Sequence, residues 1–136
     1  MMKKEKRLFK IYVLGNPLLR EDSLPLKLVP QLKEFFNYID FVEFDPTENF
    51  PEEENLVILD SIINIDKIEI IKDIDKIQSN SSYSLHDFDL AFNLKLLKKL
   101  NKINDVTIIG VPSFYKYEDA LNELKEIIAN LLLRND

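Results

Sequence analysis

The sequence predicts an α/β fold: one domain spanning residues 1–136, built on a mainly parallel, mixed sheet of about five strands. Three observations lead there. Short continuous apolar runs, such as LVIL at Leu56–Leu59, read as strands buried on both faces. Longer segments carry apolar residues at spacings of three and four, the period of an amphipathic helix. The two kinds then alternate along the chain, which places helices over both faces of one sheet.

The elements follow in order. Leu8–Leu14 is an apolar run that stops at Gly15-Asn16-Pro17, a turn signal, and reads as the first strand. Pro25–Phe36 places Leu26, Leu28, Val29, Leu32, Phe35 and Phe36 at helical spacing. Pro30 interrupts that pattern and is expected to kink the helix or delay its start. Phe41–Phe44 is a second strand, ended by Asp45-Pro46, and Leu56–Leu59 a third, ended by Asp60. Lys67–Lys72 contains IEII and reads as a strand at or near an edge. The stretch around Ser79–Ser82 is polar and loop-like.

Ser84-Leu85-His86-Asp87 has the form of an acidic capping box, in which a Ser and an acid three residues on satisfy exposed N–H groups. A helix is expected from there to about Leu100, with Phe88, Ala91, Phe92, Leu94, Leu97 and Leu100 facing inward. Val106–Ile109 is a further strand, ending at Gly110. Tyr117–Leu133 closes the pattern as a helix with Leu121, Leu124, Ile127, Ile128, Leu131 and Leu132 inward.

Composition limits the function. The chain is 46% hydrophobic, enough for a sizeable core at this length. Its net charge of -6 repels phosphate backbones, and its lysines do not cluster strongly, so no nucleic-acid partner is expected. No cysteine is present, which removes disulfides, thiolate metal sites and cysteine nucleophiles. No segment reaches the roughly 18 apolar residues of a membrane span, and no signal-peptide core is visible. The expectation is a cytoplasmic protein without a membrane partner.

Ligands of open α/β sheets bind outside the carboxyl ends of the parallel strands. Glu21 and Asp22 follow the first strand, Asp45 the second and Asp60 the third, while His86 stands at a helix start. If those strands are parallel, several acids and the one histidine share an edge. Carboxylates with an imidazole suit a divalent metal such as nickel, manganese or zinc. Each residue also has a plainer reading. Glu21 and Asp22 complement the dipole of the following helix, Asp45 and Asp60 serve as turn or cap residues, and His86 is a surface or capping residue. Tyr115 and Tyr117 read as half-buried packing residues.

The same residues resemble the hydrogenase maturation proteases. GNPLLRED (Gly15–Asp22) after a strand is similar to that family's opening motif. FDPTENF (Phe44–Phe50) resembles its second motif, and LVILDSI (Leu56–Ile62) the third, an aspartate closing a central strand. SLHDFDL (Ser84–Leu90) resembles its Ser-x-His motif, and VTIIGVPS (Val106–Ser113) its last strand. The match covers nearly the whole chain, in order. It departs at Val13 and Ser23, where the family often has glycine, and at Pro46-Thr47, which replace a glycine-rich turn.

The resemblance implies a three-layer α/β/α sandwich with a twisted sheet. It implies an endopeptidase that removes the C-terminal extension of a [NiFe]-hydrogenase large-subunit precursor. It assigns nickel recognition to Asp22, Asp60 and His86, with the nickel supplied by the substrate, and leaves Asp22 or Asp60 to act as a general base. The implied partner is the precursor, and a monomer is expected, since such a substrate must reach an open edge. A second reading keeps the site without the cleavage: a nickel-dependent binding protein or chaperone for the precursor. A third makes the carboxylates structural, with an unrelated small molecule bound in the strand-end crevice.

Overall fold

The computed structural model of the protein describes residues 9–45, 50–79 and 85–134. Its core is a five-stranded sheet in the order β2-β1-β3-β5-β4. The strands are β1 (Phe9–Val13), β2 (Ile39–Glu43), β3 (Asn55–Ile62), β4 (Glu69–Ile71) and β5 (Asp105–Pro112). β1 pairs in parallel with both β2 and β3, and β3 with β5. Only β4, at the edge, is antiparallel, with Glu69 opposite Gly110. The mixed sheet expected from the apolar runs is therefore present, and the edge position of the IEII strand with it.

The helices are α1 (Leu24–Phe35), α2 (Ile74–Ser79), α3 (Leu85–Lys99) and α4 (Tyr117–Arg134). Side chains alternate across each strand, and the sheet divides the core accordingly. Ile11, Val13, Val57, Leu59, Ile109 and Val111 face α1 and α4. Tyr12, Ile58, Ile62, Val106 and Ile108 face α2 and α3. This is the three-layer sandwich. The opposite placement of α1 and α3 follows from right-handed crossovers running in opposite directions from the sheet centre.

Three local differences from the sequence pattern have physical causes. Pro30 does not delay α1. It sits on the exposed side of a helix that starts at Leu24 and runs through it, so only one intrahelical bond is lost. In α3, Phe92 and Leu100 point outward, not inward: Phe92 is 61% and Leu100 56% exposed. The inward stripe is Asp87, Leu90, Ala91 and Leu94, and Phe92 lies one residue, about 100°, past it. Leu100 falls beyond the helix end, where Asn101 takes a left-handed φ of 58°. α2 has no counterpart in the sequence pattern because it is only six residues long.

Tyr115 and Tyr117 are half-buried, as the pattern suggested. Ser84, the expected N-cap, and Pro46-Thr47 lie outside the described residues. Among the described residues no helix is long and apolar enough to cross a membrane.

Candidate functional site at the carboxyl end of the sheet

β1 leads by way of α1 to β2 on one side, while β3 lies on its other side. The strand order thus reverses between β1 and β3, and the crevice outside their carboxyl ends is where such sheets bind ligands. The β1 end continues into a tight loop, residues 14–23, that closes on itself. The Asn16 N–H donates to the Asp22 carbonyl at 3.0 Å, and the Asp22 N–H to the Leu19 carbonyl at 3.0 Å. Gly15 permits this closure, since a β-carbon there would lie 2.8 Å from the Asp22 carbonyl oxygen. The last turn of the loop, Arg20–Asp22, is a short 3-10 turn that presents the Asp22 carboxylate.

Asp60 lies near the end of β3, the central strand, and is 1% exposed. Its Oδ1 accepts the Ser61 N–H at 2.8 Å, while its buried Oδ2 has no hydrogen-bond partner among the described residues. Ser61, one residue on, points to the opposite face. Its hydroxyl donates to Asp22 Oδ1 at 2.6 Å. Asp22 and Asp60 are thereby joined through a single buried residue. On the other side Asp87, in the first turn of α3, is buried at 3% exposure and repels charge on Asp60.

Electrostatics follow from this packing. Burial, then Asp87, then Asp22 push the Asp60 carboxyl well above the usual carboxylate range, and the Ser61 N–H opposes them only in part. A carboxyl driven towards its protonated form beside a second carboxyl can divide proton-donor and proton-acceptor roles between them.

The sequence-derived residues fall as follows. Asp22 and Asp60 are brought together. Glu21 shares the Asp22 turn and is half-exposed. Asp45 follows the edge strand β2 by two residues, after a strand two positions and about 10 Å of sheet from β3, and is exposed. His86 occupies the first turn of α3, next to Asp87, but its side chain lies outside the described residues. Among the described residues, no three His, Asp or Glu groups gather closely enough to hold a metal ion.

Two residues join the site that the pattern left out. The sequence pattern makes Asp87 a capping acid; its place three residues before Leu90 and four before Ala91, on the inward stripe, is the signal that puts it inside. Ser61 carried no signal, because a serine within a strand names no partner. Two exposed apolar side chains lie by the loop: Leu18, within it, is 89% exposed, and Phe114, whose ring centre is 6.0 Å from the Arg20 guanidinium, is 69% exposed.

No family model matches the chain, and no curated protein does. Solved structures do. The hydrogenase maturating endopeptidase HybD from E. coli superposes with a TM-score of 0.66 at 18% identity, covering 93% of this chain and 94% of its own. An endopeptidase from Escherichia coli, solved in solution, gives 0.62 at 20% identity, covering 90% and 92%. An uncharacterized protein from Wolinella succinogenes gives 0.55 at 16% identity, covering 92% and 99%. Over nearly its whole length, this chain has the fold of the hydrogenase maturating endopeptidase HybD.

Proposed function

We propose that this protein is an endopeptidase that removes the C-terminal extension of a nickel-loaded [NiFe]-hydrogenase large-subunit precursor. The observation that carries the reading is the Asp22–Ser61–Asp60 bridge at the strand-order reversal, on a fold shared with HybD. Asp22 and Asp60 offer oxygen donors, one of them the Asp60 Oδ2 that has no partner among the described residues, and His86 is in the first turn of α3, next to Asp87. These three residues meet the nickel that the precursor carries, so the metal is part of the substrate. Hard oxygen and borderline nitrogen donors suit it.

Cleavage then needs water, a proton acceptor and a proton donor. Water attacks the scissile carbonyl and passes a proton to Asp22. The carbon–nitrogen bond breaks as Asp22 returns that proton to the leaving amine, while Asp60 remains a carboxylate towards the nickel. The exposed Leu18 and Phe114 beside the turn provide apolar contact for the precursor's extended tail. The acting unit is a single chain in the cytoplasm.

Mass spectrometry of a nickel-loaded precursor incubated with catalytic amounts of the protein tests the reading. A short C-terminal peptide should leave the loaded form and stay on the metal-free form. His86→Ala should abolish this without unfolding the chain. An intact tail in a stable complex would show the non-cleaving binding protein instead, and an intact tail without a complex would remove both.

A further inference from the structure

We infer that Ser61 is a positioning residue that ties the Asp22 loop to the central strand and fixes the two carboxyl groups relative to each other. It makes two bonds of different kinds: its backbone N–H to Asp60 Oδ1 at 2.8 Å and its hydroxyl to Asp22 Oδ1 at 2.6 Å. Both come from one residue that is 5% exposed and paired in register with Val111 of β5, so the donor frame is rigid. Asp22 needs such a frame. It lies on a three-residue 3-10 turn whose other hydrogen bonds among the described residues, from Asn16, Leu19 and the Ser23 hydroxyl to Arg20, stay within the loop itself, with the Arg20–Phe114 ring contact as a weaker tie outside it.

The pleat explains why a serine at this position can bridge. Asp60 points towards α2 and α3 and Ser61 towards α1. The Asp60 side chain must therefore curl back to its neighbour's N–H, while the Ser61 hydroxyl reaches the loop ahead of α1. Each carboxyl commits one oxygen to Ser61, which orients the second. Removing the hydroxyl leaves Asp60 in place but frees Asp22 to sample other rotamers. The kinetic consequence rests on the endopeptidase reading above; the tether itself does not.

The test uses the full chain. In Ser61→Ala, amide hydrogen exchange at Asn16, Leu19 and Asp22 should quicken by about tenfold, with Ile58 in β3 unchanged. Ser61→Thr keeps the hydroxyl and should restore the native rates. Asp22→Ala should release the same amides, and adding Ser61→Ala to it should change nothing further. Native exchange in Ser61→Ala, or additive effects in the double variant, would overturn the inference. On nickel-loaded precursor, Ser61→Ala should lower kcat by about tenfold or more at constant KM. Undiminished kcat in a protein whose wild type cleaves would also overturn it. A wild type that never cleaves, with loop amides that still respond, sinks the endopeptidase reading and leaves the tether standing.

Discussion

Asp87, in the first turn of α3, lies near enough to Asp60 of β3 to repel charge on it, and both are almost fully buried at the carboxyl end of the sheet. Two acids placed so close cannot both ionise without cost, and burial adds to it. The fold accepts this at one end of an otherwise apolar core.

The stability of the protein should therefore fall as pH rises out of the acid range. Asp60 binds its proton more tightly folded than unfolded. Its favourable contribution is complete below the ordinary aspartate range and is lost as pH climbs through its raised folded value. Asp60→Asn keeps the Oδ1 that accepts the Ser61 N–H and cannot ionise. It should raise Tm near pH 7 by several degrees, on the order of 5 °C, with the gain shrinking towards pH 4. Equal Tm profiles for the two proteins would contradict the buried-acid account.

Tyr12 offers a second, alkaline dependence. Its hydroxyl donates to Glu53, and burial followed by that bond raises its pKa to about 12. The raised folded value means stability is intact below pH 10 and declines between 10 and 12. The loss should be about 1–3 kcal/mol and absent in Tyr12→Phe, as urea unfolding at pH 9 and 11.5 would show.

The facing of α3 predicts contrasting substitutions: Leu94 is fully buried, whereas Phe92 is largely exposed. Leu94→Ala should cost about 2–5 kcal/mol. Phe92→Ala, the larger truncation, should cost within about 0.5 kcal/mol. Denaturant midpoints in the reverse order would mean that the helix is rotated.

Substitutions at the apolar rim should separate binding from folding. Leu18→Asp with Phe114→Ser removes exposed surface beside the Asp22 turn, so Tm should hold within a degree or two, ~0.5 kcal/mol. KM for the precursor should rise by about tenfold, since apolar contact with the tail is lost. An unchanged KM would place tail contact elsewhere.

The apolar runs were enough to reveal the layers and the parallel strands, because an apolar strand has nowhere to go but the inside of a sandwich. They also located Asp22 and Asp60 at strand ends, where the strand-end rule gathers functional groups. Which acids meet was not legible at that level. Asp45 follows a strand just as Asp60 does, yet strand order sends β2 to the edge and β3 to the centre. Phe92 fits a loose helical pattern, but the true stripe runs through Asp87, which no hydrophobic count includes.

By itself, then, the sequence determined the α/β class and most of the strands and helices, because those depend on local period and on the solubility of side chains, and it offered several acids near strand ends, from which only the family resemblance singled out Asp22 and Asp60. Only the tertiary structure decided that Ser61 joins Asp22 to Asp60 and that Asp87 is buried against them. Those relationships depend on strand order, on the pleat and on helix rotation, and contacts between residues tens of positions apart leave no local trace in the chain.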